Sequence, residues 1–101
     1  MVVIVWEFRV KAEARAAFER AYGSDGDWAR LFRRAAGYLG TELLRDAADS
    51  ARYLTIDRWS SPAAFDDFRR DFAQEYEETD RRCAELTESE TRVGIFEAPE
   101  L

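Results

Sequence analysis

"YLTIDRWSSPAAFDDF", residues 53–68, changes its hydrophobic period halfway along. Tyr53 to Trp59 is rich in aromatic and β-branched residues and alternates as a strand does. Ser60-Ser61-Pro62 then opens a helix, with Ser61 as the cap and Pro62 at the first helical position. Within the strand, Asp57 shares a face with Tyr53, Thr55 and Trp59, while Leu54 and Ile56 point the other way. Strands tend to exclude aspartate. A carboxylate among large aromatics is costly to bury, so it must be ionised beside a donor, protonated, or hydrated. Either that face is wet, or the carboxylate has a task beside a cavity.

Upstream, Tyr38 to Arg45 reads as another strand, joined to Tyr53–Trp59 by the polar connection "DAADSA". Earlier still, Val2 to Val10 alternates: Val2, Ile4, Trp6 and Phe8 on one face, Val3, Val5, Glu7 and Arg9 on the other. From Ala12 the period becomes helical, with Ala14, Ala17, Phe18, Ala21 and Tyr22 on one stripe and Gly23 at its end. "SDGDW" offers Ser24, Asp25 and Asp27 as caps of a shorter helix carrying Trp28, Leu31, Phe32 and Ala35, closed by Gly37. Downstream of Pro62 the apolar stripe runs through Phe65, Phe68, Phe72, Tyr76, Thr79, Cys83 and Leu86, with a break expected between Phe72 and Glu75. Thr91 to Glu97 reads as the last strand, and "APEL" as a frayed tail.

Strand, helices, strand, strand, helices, strand is the βαββαβ order of a ferredoxin-like α+β fold: a four-stranded antiparallel sheet with helices on one face. Residues 1–101 make a single domain. Val3, Val5, Leu54 and Ile56 leave the sheet's second face apolar with no helix to cover it, so a homodimer with two sheets facing each other is expected.

Composition narrows the partners. The net charge is −6 at pH 7, which argues against nucleic acid and anionic membrane surfaces. Lys11 is the only lysine beside many arginines, and no function is drawn from that skew. With no histidine and a single cysteine, Cys83, the chain lacks the means for a disulfide framework, a cysteine zinc site, a histidine-ligated haem or a serine–histidine triad. No metal and no cofactor are expected. "MVVIVWEFRV" is too short to span a membrane and reads as no leader, so a cytoplasmic location is expected.

"VVIVWEFRVK", "FERAYGSDGDWARLFRRAAGYLGTELLRD" and "RYLTIDRWSSPAAFDDF" together resemble the antibiotic biosynthesis monooxygenase (ABM) family of dimeric α+β barrels, over nearly the whole chain. The most specific elements are Gly37-Tyr38-Leu39-Gly40 and the run from Tyr53 through Trp59-Ser60 to Phe65. The resemblance implies an apolar cavity between sheet and helices; the family's activities include cofactor-free oxygenation of polycyclic phenols, haem degradation and quinone chemistry. The haem-degrading branch places an asparagine on strand one, a tryptophan early in the long helix and a histidine further along it. The matching positions here are Phe8, Phe68 and the neighbourhood of Tyr76, so the resemblance does not extend to haem degradation. The anthrone-oxidising branch places an asparagine and a tryptophan one turn apart on that helix, where this chain has Ala64 and Phe68.

Asp57 is the candidate catalytic base, since desolvation would raise its pKa; the competing role is a carboxylate locked to an arginine or to helix amides. Phe8, Thr55 and Phe68, with Tyr22, Trp28 and Tyr76 bearing polar handles near element ends, are the candidate substrate-binding residues. Trp6, Phe65 and Phe72 are aromatics at the same spacings, and packing is the commoner role for all such rings. Cys83 reads as a small core residue, and Arg33 and Arg34 as a solvated helix end or a weak anion contact. Two functions fit. One is a cofactor-independent monooxygenase of a small or polycyclic phenolic compound, in which the substrate itself gives electrons to dioxygen. The other is a module of the same fold that binds a small hydrophobic metabolite without turnover.

Overall fold

The computed structural model describes residues 1–99. The elements run β1 (Val2–Val10), α1 (Arg15–Tyr22), α2 (Asp27–Phe32), β2 (Tyr38–Arg45), β3 (Arg52–Trp59), α3 (Pro62–Asp71), α4 (Ala73–Cys83) and β4 (Thr87–Glu97). Short 3₁₀ turns precede α1 at Ala12–Ala14 and follow α4 at Ala84–Leu86. The strands form one antiparallel sheet in the order β2-β3-β1-β4. This is the expected ferredoxin-like α+β fold.

Alternation decides which face of the sheet is covered. Tyr53, Thr55, Asp57 and Trp59 on β3 are buried, as are Val2, Ile4, Phe8 and Val10 on β1. The helices lay Phe18, Tyr22, Trp28, Leu31, Phe32, Phe68 and Cys83 over that face to complete one core. Trp59, fully buried, is packed by Phe32, Tyr38, Phe65 and Phe68 at ring-centroid distances of 5.3–5.5 Å.

α3 starts as its sequence dictates: Pro62 is at the first position and Ser61 Oγ accepts a hydrogen bond from the Ala64 amide at 3.1 Å. The long apolar stripe breaks at Phe72, whose φ of −118° and ψ of 28° separate α3 from α4. α2 departs from expectation. Its cap is Gly26, with no side-chain cap hydrogen bond, and not Ser24, Asp25 or Asp27. The chain there passes so close to the Arg20 and Ala21 carbonyls that a Cβ at residue 26 would lie 2.4–2.5 Å from their oxygens, so only glycine fits. The acidic residues brace the loop instead: Arg33 donates to the Asp25 carboxylate and the Ser24 carbonyl, and Arg30 bridges to Asp27. Arg34 lies over the Phe72 ring, so neither arginine is simply solvated.

β4 begins at Thr87, four residues before the expected start at Thr91, because β1 continues to pair with it as far as Val10 opposite Thr87. Its polar "TESE" opening hid it, and such a sequence suits an edge strand. Of the expected tail, Glu100 and Leu101 lie outside the described residues. No described helix is long and apolar enough to cross a membrane.

Candidate functional site

β3 carries Asp57 at the centre of the sheet, between Ile4 of β1 and Thr41 of β2. A cleft opens beside it. The strands contribute Trp6 and Phe8, Thr41, Thr55 and Asp57, and Glu90; the helices contribute Tyr22, Trp28, Phe32, Tyr76 and Asp80. The empty space is about 460 Å³ with its open mouth included, of which about 50 Å³ is room for the centres of water-sized molecules. It is therefore a wet, accessible cleft, in which a single ring needs the mouth as well as the interior.

Asp57 is 9% exposed, and no arginine or lysine forms an ion pair with it among the described residues. Thr41 Oγ1 donates to Asp57 Oδ1 at 2.7 Å, and the Tyr38 hydroxyl lies 2.7 Å from Thr41 Oγ1. A hydroxyl has one proton to give, so with Asp57 ionised Thr41 donates to it and Tyr38 donates to Thr41. Burial pushes the Asp57 carboxyl from 3.8 up to about 6, against the opposing pull of the Thr41 hydrogen bond. The expected partner of a structural carboxylate, an arginine, does not occur here.

The aromatic walls are mutually braced. Tyr22 stacks on Phe18 at 4.3 Å and tilts against Phe8 at 4.9 Å, and Trp28 meets Tyr76 edge-on at 5.0 Å. The Tyr22 phenol is shifted well up, first by burial. Trp28 Nε1 is buried near the Tyr22 hydroxyl and the Cys83 thiol, yet makes no hydrogen bond of good geometry. Tyr76 is raised too, chiefly by burial, although the Arg69 guanidinium sits 4.1 Å from its ring centroid. Burial and then the charge of Asp80 raise Glu90 at the mouth.

Asp57, Phe8, Tyr22, Trp28, Thr55 and Tyr76 thus line one cleft. Phe68 does not. It is 1% exposed and enclosed by Phe32, Trp59, Phe65 and Phe72, and it borders a separate groove with Ala64 and Asp67 instead. Trp6, read first as packing, reaches the cleft, and Phe32, Thr41, Asp80 and Glu90 were not singled out by the sequence. Thr41 was within reach of a register argument, since it lies opposite Asp57. Asp80 stands one helical turn beyond Tyr76. Glu90 escapes the sequence pattern because the expected strand starts one residue after it. Among the described residues, no cluster of three or more metal-ligating side chains occurs.

The profile of the family described as antibiotic biosynthesis monooxygenase matches residues 1–82. Among solved structures, SnoaB, a cofactor-independent oxygenase from Streptomyces nogalater, is similar at 27% identity and a TM-score of 0.71, over 99% of this chain and 94% of its own. A Deinococcus radiodurans protein named for the same family matches at a TM-score of 0.77 and 17% identity, over 100% of this chain and 95% of its own. A third, from Nitrosomonas europaea, matches at 0.71 and 18%, over 98% and 99%. These last two speak to the fold alone. No match is found among curated proteins.

Proposed function

The chain belongs to the antibiotic biosynthesis monooxygenase family, and on that footing we propose that it is a cofactor-independent monooxygenase of a small phenolic compound, with Asp57 as its base. The observation that carries this reading is a buried carboxylate with no cationic partner, raised to about 6, facing a cleft walled by aromatic rings. SnoaB, a cofactor-independent oxygenase by its description, supports the reaction class. The room beside Asp57 favours one ring over a polycyclic substrate.

The chemistry is redox-balanced by the substrate. Asp57 takes the phenol proton, and the phenolate gives an electron to dioxygen. The resulting radical pair joins at a ring carbon that bears hydrogen, and Asp57 returns its proton to the peroxide. Removal of the ring proton then breaks the O–O bond, releasing water and leaving a quinone: phenol plus O₂ gives quinone plus H₂O. The Thr41 and Tyr38 hydroxyls form a hydrogen-bonded chain leading from Asp57, and so a path for its proton. Holding the base buried beside the aromatic walls is the protein's part.

Two copies meet, in this reading, through the sheet face that the helices leave open. Val3, Val5, Leu54 and Ile56 are half-buried there, and their strand neighbours Leu44 and Phe96 are exposed. A second reading, a non-catalytic binder of a small hydrophobic metabolite, is favoured by the positions of Ala64 and Phe68. Neither lies in the cleft, so the residue pair of the anthrone-oxidising branch has no counterpart there.

Oxygen uptake against a panel of phenols and hydroquinones, with ¹⁸O₂ to trace the inserted atom, separates the two. The expected result is one O₂ consumed and one ¹⁸O incorporated per quinone. Binding of panel members with no uptake above the protein-free rate would favour the binding module.

A further inference from the structure

The cleft carries more negative charge than a single catalytic base supplies. Three carboxylates line it, Asp57, Asp80 and Glu90, and no lysine or arginine does. Asp57, nine-tenths buried, accepts a hydrogen bond on Oδ1 from Thr41, and no donor reaches Oδ2 among the described residues. Asp80 and Glu90 take part in no ion pair among the described residues, although Asp80 is close enough for its charge to act on Glu90. The nearby cations are otherwise placed. Arg69 sits over Tyr76, Arg82 bridges to Asp27, and Arg92, opposite Trp6 in the sheet, is exposed and outside the lining.

Acidic groups facing water would mean little alone. Here they share a cleft with the indoles of Trp6 and Trp28 and the phenol of Tyr76, and the faces of such rings attract cations. We propose that this cleft selects a small phenol carrying an alkylammonium side chain, its ammonium held by Asp80 and Glu90 at the mouth and its ring among Trp6, Trp28 and Tyr76. The inference deepens the oxygenase reading, because it takes that reading's cleft as the ligand site and names the ligand's charge.

The charge also serves the proton transfer. When a ring hydroxyl gives its proton to Asp57, the substrate O–H bond breaks, an Asp57 O–H bond forms, and the negative charge passes to the substrate. On a neutral phenol that charge would face Asp80 and Glu90 uncompensated. On a phenol with an alkylammonium side chain it leaves a zwitterion whose cation sits against them.

Calorimetric titration at pH 8 with three phenols of matched shape tests this: tyramine (cationic), 4-propylphenol (neutral) and 3-(4-hydroxyphenyl)propanoate (anionic). Tyramine should bind at least about ten-fold more tightly than 4-propylphenol, and the anion more weakly than either. In the double variant Asp80→Asn, Glu90→Gln, its fold checked by circular dichroism, the tyramine-to-propylphenol ratio should fall toward about one. Equal or tighter binding of 4-propylphenol by the wild type, or a ratio unchanged in the double variant, overturns the inference. Oxygen uptake run on the same compounds keeps the two readings apart. Tyramine selectivity without uptake sinks the oxygenase alone, and uptake on all three without charge preference sinks the selectivity alone.

Discussion

Asp57 inverts the usual relation between a buried carboxylate and stability. A buried carboxylate paired with a cation is strongly destabilised when its partner is removed. Here the carboxyl is raised from 3.8 to about 6 by burial, so the native state holds its proton more tightly than the unfolded chain does. That contribution favours folding in full below about pH 4 and is lost as the pH rises through about 6. The ionised group therefore costs the fold on the order of 3 kcal/mol near neutrality. Asp57→Asn removes that cost but adds an amide donor that needs a partner, at about 1–3 kcal/mol. Thermal melts should show the variant near or slightly above wild type at pH 8, and relatively less stable at pH 4. A large drop at pH 8 would mean that Asp57 is a structural anchor.

At the level of elements, the turn into α3 was legible to the residue. Ser61 and Pro62 announced the helix start, and the Ser61 hydroxyl caps it. Ser61→Ala should cost about 1 kcal/mol, read as a lower denaturant midpoint with the slope of the transition unchanged. Gly37, which closes the segment after α2, has a φ of +89°, and a Cβ there would lie 2.6 Å from Ala64 Cβ and Ser60 Oγ. Strand parity placed Asp57 and its neighbours on the right face because a period of two leaves no intermediate choice. What the sequence hid was set by tertiary contact. Gly26 caps α2 because of the neighbouring backbone, β4 begins among acidic residues because β1 pairs with it, and Phe68 is walled off from the Asp57 cleft by the rings of Phe32, Trp59 and Phe72. Helical spacing puts Phe68 and Tyr76 on one stripe and cannot say that only Tyr76 reaches the cleft.

For the whole molecule, one apolar sheet face is left without cover from its own chain. Val5 and Ile56 pair directly across β1 and β3 at the centre of that face. Val5→Asp or Ile56→Asp should shift the protein from dimer to monomer in sedimentation velocity at micromolar concentration, while the helix-side core keeps its circular dichroism spectrum. A wild-type monomer under the same conditions would remove the reason for that apolar face. The fold and the uncovered sheet face thus follow from alternation alone, and the second copy that would cover it is what the sedimentation tests. The cleft does not, since its lining draws on seven elements and its charge on residues as far apart as Asp57 and Glu90.

The claim on which the rest depends is that Asp57 is desolvated and without a cation. Carbonyl-carbon NMR of the aspartate side chains, followed from pH 3 to 9 and assigned by Asp57→Asn, measures this with no substrate in hand. An Asp57 midpoint near 6 is expected. A midpoint at or below about 4, the ordinary range for an aspartate, would contradict it.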